Sequence, residues 1–316
     1  MKQKRLSLGI DTSNYKTSVA VVDEEGNILY NSQCFLYVKE GERGLRQSDA
    51  FFQHVKKLPE LMEEVFSLPG IRENLASISV STKPRPIEGS YMPVFTAGEA
   101  FARTLSSSLN IPLYEFSHQE GHIEAVRYYS KFKDTSRLVT FHFSGGTTEC
   151  LLADFDKNSF EIVGGSKDLA YGQVIDRIGV SLGLMFPCGE ELDEIATFAN
   201  YKEKKLTKIK VNDCFVNLSG LETQAQRLIG TIPADQLVCE VFDKISASIL
   251  DMLLQIKEKY SVNDFIFAGG VSSSGYLRSY LRTHIPEGIS IAFGEPKLSQ
   301  DNAVGIALLG GKNIWL

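Results

Sequence analysis

Apolar and polar positions alternate in short runs at the head of the chain. "RLSLGIDTS" is apolar and closes on a polar turn, "KTSVAVVD" alternates small and apolar residues, and "EEGN" turns the chain into "ILYNSQCF". This pattern predicts a β-hairpin. The period then lengthens: Phe51, Val55, Leu58, Leu61, Met62 and Val65 recur at helical spacing and predict a helix over Ser48–Phe66. "LASISVST" reads as a short apolar strand, "KPRPIEGSYMP" as a loop rich in Pro and Gly, Thr96–Leu109 as a helix and "IPLYEFS" as a strand. A helix over His118–Tyr129 follows.

After the polar run "SKFKDTSR" the order begins again. "LVTFHFSGGTTECLLADFDKNSFEIVGGS" reads strand, glycine turn, strand, turn, strand. Helices are predicted over Ala170–Leu184, Glu190–Asn200 and Leu237–Lys259. "DFIFAGGVSSSGYLRSYLRTH" is strand, glycine turn, helix; "ISIAFGEP" is a last strand and Asp301–Leu309 a closing helix. Two halves that each begin with a hairpin and continue as α/β imply a duplicated fold with sheets covered on both faces. The expected domains are 1–136, completed by a closing helix at 301–316, and 137–300. Ligands in such folds sit at the carboxyl ends of the strands, here between the halves.

Composition narrows the function classes. A chain of 316 residues, 43% apolar and 23% charged, can bury a large core without disulfide or metal staples. The net charge of -6 argues against a broadly basic nucleic-acid surface but leaves room for a local basic groove. Cys34, Cys150, Cys188, Cys214 and Cys239 are scattered with no CxxC pair, which reads as reduced thiols. No apolar stretch reaches the ~18 residues of a membrane span, and no signal peptide is visible. The expected location is the cytoplasm, with no membrane partner.

Three turns carry candidate chemistry: "DTSNYKTS", "FSGGTTE" and "FAGGVSSSG". Each follows an apolar strand and offers small residues that let backbone approach a ligand, with N–H groups suited to phosphate. None matches G-x-G-x-x-G or the Walker A pattern. His118 and His122, at i and i+4, lie on one helical face, a spacing that suits two ligands to one metal and equally suits packing. The order H-Q-E-G-H is not H-E-x-x-H. Glu120 rotates off the metal face, so a zinc protease is disfavoured. Asp301 in "SQDNAVG" is a candidate third ligand.

The ordered motifs resemble one family, the universal tRNA threonylcarbamoyladenosine synthases (TsaD/Gcp type, once labelled peptidase M22 or O-sialoglycoprotein endopeptidase). "LGIDTSNYKTSVAV" resembles its LGIETSCDETxVA, "HVKKLPEL" its HVRxxxPL and "NIPLYEFSHQEGH" its N-x-P…H-x-x-G-H segment. "FHFSGGTTE", "KDLAYGQVIDRIGVSLGLMFPCG", "VNLSGLETQAQRLI", "AGGVSSSGYLR" and "QDNAVGIALLG" continue the match. The resemblance implies an α/β fold of the ASKHA (actin–hexokinase-like) class, two duplicated RNase H-like domains around a nucleotide cleft. It implies that His118, His122 and Asp301 hold one divalent metal, iron or zinc. It implies that His142, Phe143, Ser144, Gly145 and Gly146 line the ligand, that Asp176 binds the ribose, that Gly189 packs near the nucleoside, and that Gly270 and Ser274 meet the base. The implied ligand is ATP or threonylcarbamoyl-adenylate, the acceptor a tRNA adenine, and the accessory partners TsaB-like and TsaE-like proteins. The activity implied is a carbamoyl-type transfer, not peptide hydrolysis.

Departures from the family pattern fall at the site. Tyr15 and Lys16 replace the family's acidic pair, so their catalytic role differs from that pair's. Thr147 stands for a His, Gln173 for a Glu, Arg177 for a Lys, Ser274 for an Asn, and "FPCG" for YPGG. Lys83 and Arg85 sit where the family has small residues. That pattern describes a divergent paralogue. Two further readings stay open: a catalytically divergent nucleotide binder acting with family partners or on another acceptor, and an ASKHA phosphotransferase with Lys16 or Arg85 on the phosphate. Outside the motifs, His54 reads as structural, and "YKEKKLTKIK" as a solvated loop or an RNA-backbone contact.

Overall fold

Strand β1 (Leu6–Thr12) pairs antiparallel with β2 (Lys16–Val22), and β2 with β3 (Ile28–Phe35). The chain leaves this meander through helix α1 (Gln47–Ser67) and a short turn of helix, α2 (Ile71–Asn74). It then adds β4 (Leu75–Lys83) parallel to β1. Helix α3 (Thr96–Leu109) leads to β5 (Leu113–Ser117), parallel to β4, and helix α4 (His118–Tyr128) follows at once. The sheet order is β3-β2-β1-β4-β5. In this computed structural model the described residues are 4–13, 15–38, 45–157, 159–198, 205–295 and 303–315.

The second sheet repeats the plan. Strands β6 (Arg137–Phe143), β7 (Thr148–Asp154) and β8 (Ser159–Ser166) form the meander. Helices α5 (Tyr171–Ser181) and α6 (Gly189–Phe198) come next, then the two-residue β9 (Phe215–Val216) at the β8 edge. After α7 (Ser219–Leu228) and the long α8 (Ala234–Tyr260), β10 (Asp264–Ala268) joins β6 in parallel. Helix α9 (Gly275–His284) leads to β11 (Ser290–Phe293), parallel to β10. The order is β11-β10-β6-β7-β8-β9, and α10 (Val304–Trp315) ends the chain. Contacts divide the chain into two compact units, Met1–Tyr128 with Lys297–Leu316, and Tyr129–Pro296.

In the first unit the period-2 alternation of the strands separates two faces. Leu8, Ile10, Val19, Val21, Ile78 and Val80 pack with Leu58, Leu61, Met62 and Val65 of α1. The buried stripe of α1 begins at Ala50 and His54, while Phe51 and Val55 stay 38% and 37% exposed. The inward face is therefore turned one position from the expected one at that end, because His54 is drawn in to Thr17, whose Oγ1 lies 2.8 Å from the imidazole Nδ1. The opposite sheet face carries small residues, and α10 lies against it: Ala20 and Val22 pack with Ala303, Val304, Ala307 and Leu308. A Cβ at Gly9 would collide with the backbone of Ala303 and Ala307, and one at Gly305 with the backbone of Gly121. Glycine at these positions lets α10 press onto β1 and α4 together, which fixes α4 relative to the sheet.

In the second unit β6 and β10 are flanked by strands and covered on both faces, so they read as near-continuous apolar runs. Phe141 stacks on Phe267 at 4.9 Å, and Phe267 on Phe293 at 4.9 Å. Helix α7 has no counterpart among the predicted helices, and α8 begins at Ala234, ahead of its predicted start.

Candidate functional site: a histidine pair and two glycine turns

The first unit brings His118 and His122 together. Their Nε2 atoms lie 3.0 Å apart and the rings meet edge to face at a centroid distance of 4.4 Å. His118 Nδ1 lies 2.9 Å from Asp11 Oδ1, and Ser81 Oγ donates to the same oxygen at 2.5 Å. Asp11 is fully buried at the end of β1, and Ser81 faces it from β4. An imidazole whose Nδ1–H is held by a carboxylate presents the Nε2 lone pair outward, the arrangement found behind metal-ligating histidines. Two imidazole nitrogens on one tetrahedral or octahedral ion at ~2.0–2.1 Å would be roughly 2.8–3.4 Å apart. The pair therefore fits a divalent ion. Among the described residues no set of three or more His, Cys, Asp or Glu side chains is gathered for a metal, and Asp301 lies outside the described residues.

Glu120 has another task. Its Oε2 accepts the Ser117 N–H at 2.6 Å, and its own N–H donates to Ser117 Oγ at 3.2 Å. This is a reciprocal capping box that starts α4. It agrees with the helical-phase argument against a protease and was legible in "SHQE" as an S-x-x-E signal.

Lys16 opens β2 and is buried; Tyr15 beside it is exposed. Lys16 Nζ donates to Gln33 Oε1 at 3.1 Å and sits 4.3 Å from the centroid of the Phe35 ring. By strand alternation Lys16 shares the sheet face of Asp11 and Ala20. Its ammonium thus adds positive charge on the face where the histidine pair lies.

The second unit carries the other predicted residues: His142–Gly146 at the carboxyl end of β6, Gly270 and Ser274 after β10, Asp176 on α5 and Gly189 at the start of α6. His142 and Phe143 end β6 and are buried. Ser144 folds the turn on itself: its Oγ accepts from the N–H groups of Gly146 (3.4 Å) and Thr147 (3.1 Å). A Cβ at Gly172 would lie 2.6 Å from the Ser144 carbonyl, so the start of α5 rests on this turn. Gly269, at φ +88°, backs onto the Phe143 carbonyl with no room for a side chain, so the second glycine turn is seated on the end of β6. Open space lies over Gly145, Gly146, Gly189 and Gly270.

Asp176 on α5 accepts the Cys188 N–H at 2.8 Å, and burial pushes its carboxyl above the usual range. Ser274 caps α9, accepting from the Leu277 N–H at 3.1 Å, and its hydroxyl donates to Asp193 Oδ1. Asp193 on α6 also accepts the N–H groups of Gly275 (2.6 Å) and Tyr276 (3.1 Å). This carboxylate ties α6 to the glycine turn and was missed in the sequence; no local spacing links it to a partner 81 residues away.

The remaining candidates are the buried thiols, the basic run and a surface depression. Burial raises the thiols of Cys150 and Cys188 above their ordinary value, which disfavours nucleophilic use. Of the basic run, 201–204 lie outside the described residues, and Lys208 is paired with Asp251 at 2.6 Å. A depression of about 310 Å³ lined by Arg137, Asp154, Lys157 and Glu161 lies at the other end of the second sheet from the glycine turns. Among the described residues no helix is long and apolar enough to cross a membrane.

Solved structures share the fold. The Acidaminococcus fermentans (R)-2-hydroxyglutaryl-CoA dehydratase component A superposes with a TM-score of 0.58 at 12% identity, covering 98% of each chain. A ROK family glucokinase from Streptomyces griseus gives 0.53 at 12%, covering 97% of this chain and 99% of that one. The architecture is of the ASKHA type. In sequence, the tRNA N6-adenosine threonylcarbamoyltransferase of Kosmotoga olearia is 30% identical over 312 residues, covering 96% of this chain and 91% of that protein. That of Neorickettsia sennetsu is 29% identical over 313 residues, covering 96% and 92%. A probable bifunctional tRNA threonylcarbamoyladenosine biosynthesis protein of Methanothermobacter thermautotrophicus is 28% identical over 311 residues, 55% of its own length. The model of the TsaD family, tRNA N6-adenosine threonylcarbamoyltransferase, matches residues 37–308, and the chain belongs to that family of transferases.

Proposed function

We propose that this protein transfers a threonylcarbamoyl group from threonylcarbamoyl-adenylate to the exocyclic amine of a tRNA adenine. The observation that carries the reading is the imidazole pair, His118 and His122 at 3.0 Å, backed by Asp11. These two histidines would hold an iron or zinc ion, both of which imidazole suits, with Asp301 as the third ligand. Such an ion supplies Lewis-acid and charge-clamping chemistry at a phosphate.

The chain's own groups bind and orient. The open turn at Ser144–Gly146 leaves room for phosphate or carbamoyl oxygens close to backbone. Asp176 accepts a ribose hydroxyl, while the open space over Gly189 and Gly270, beside the small Ser274, leaves a bed for the nucleoside. ATP binds the same bed. A good adenylate leaving group and a weak amine nucleophile demand alignment above all, worth far more than acid–base help. Lys16, charged and held by Gln33, cannot act as the base that an acidic pair could supply. It favours the polyanionic partner instead.

That substitution favours a second reading: a nucleotide-binding relative that has given up the transfer and acts with TsaB-like or TsaE-like partners. Nucleoside analysis of tRNA from a strain lacking its housekeeping enzyme, with and without this chain, separates the two. Restored threonylcarbamoyladenosine supports transfer. Its absence, with ATP binding retained, supports the second reading.

A further inference from the structure

At the open end of the first sheet an aromatic pair faces solvent. Phe35 ends β3 and is 74% exposed; Tyr37, two residues on, is 70% exposed. Leu36 between them turns inward to Ala50, Val94 and Phe95. The chain is held there, not loose. Leu36 N–H donates to the Tyr15 carbonyl at 2.9 Å, and Gln53 both accepts from the Tyr37 N–H (2.7 Å) and donates to its carbonyl (3.0 Å). Two large rings are thus fixed outward on a braced backbone.

The inner face of the Phe35 ring rests on the Lys16 ammonium. A cation under one face of a ring, with the other face bare, is a stacking surface with a charge behind it. Registration places it near the histidine pair. Asp11 pairs with Ser18, and Lys16 is the next residue of β2 on that face, opposite Phe35. Lys16 Cα therefore lies within roughly 10 Å of Asp11 Cα.

We propose that Phe35 and Tyr37, with Lys16 behind Phe35, form a platform on which the unpaired bases flanking the acceptor adenine of tRNA stack. The inference rests on the tRNA acceptor proposed above. An enzyme that works on a base amine takes that base out of its stack. Its neighbours lose a stacking partner, and single-stranded RNA bases replace one with aromatic side chains. A protein partner would gain less from a buried charge behind the ring, whereas a polyanion gains from it.

The test uses the full chain and an unmodified tRNA transcript, with affinity measured across a salt series. Phe35→Ala and Tyr37→Ala should each weaken tRNA binding about tenfold. The salt slope should not change, since no phosphate contact is lost. Phe35→Trp should keep wild-type affinity, and ATP binding should not change in any variant. Wild-type tRNA affinity in the Phe35→Ala/Tyr37→Ala double variant overturns the platform alone. So does a double variant that keeps tRNA affinity and loses a protein complex. Failure of the wild-type chain to bind tRNA overturns the acceptor reading and the platform with it.

Discussion

The Nδ1 of His118 and the Oδ1 of Asp11 meet at 2.9 Å although 107 residues separate them in the chain. The contact joins the end of β1 to the first residue of α4, and it sets which nitrogen of His118 carries a lone pair outward. Asp11→Asn keeps the volume but replaces the carboxylate. It should lower Zn(II) or Co(II) affinity by about 10- to 100-fold while leaving ATP affinity within twofold. Competition titration against a chelating dye reads this directly. Unchanged affinity would make the contact merely structural.

Gly269 sits at φ +88°, ψ 163°, a region essentially reserved for glycine, with the Phe143 carbonyl behind it. Gly269→Ala should cost about 3 kcal/mol and lower the Tm by roughly 6–12 °C. Adenine-nucleotide binding should fall more than the Tm shift explains, because the same turn carries Gly270 and Ser274. Differential scanning calorimetry with and without ATP checks both parts.

Acid should loosen the first unit through His54. Burial lowers its imidazole below the ordinary value of 6.5, and Thr17 Oγ1 holds the ring at 2.8 Å. The folded state binds the proton less well than the unfolded chain. Its contribution is therefore complete above about pH 6.5 and is lost as pH falls from there through the folded value. The urea midpoint should drop between pH 7.5 and 5.5, and His54→Gln should remove part of that drop. An equal drop in the variant would assign the effect to other groups.

The parts of this fold that are legible in sequence are those set by local pattern. The repeated meander shows in "RLSLGIDTS…KTSVAVVD" and "LVTFHF…ECLLAD" because strand alternation and glycine turns are local signals. The histidine pair shows for the same reason: i and i+4 share a helical face. Partners far apart in sequence do not show. Asp11 behind His118, Asp193 across α6 and α9, and His54 on Thr17 are each one polar residue in an ordinary run. Only the fold brings them to their partners. The helix α7 went unseen because "SGLETQAQRL" has a short apolar stripe, of which only Leu221 and Ala225 are buried.

The transfer itself is the most direct thing to measure. Purified chain loaded with Fe(II) or Zn(II) should be incubated with threonylcarbamoyl-adenylate and unmodified tRNA, and the tRNA digested and its nucleosides resolved by mass spectrometry. The account predicts N6-threonylcarbamoyladenosine that depends on the metal and is lost on Asp11→Asn with His122→Ala. Unmodified adenosine throughout, under conditions where an authentic family enzyme modifies the same tRNA, would contradict it.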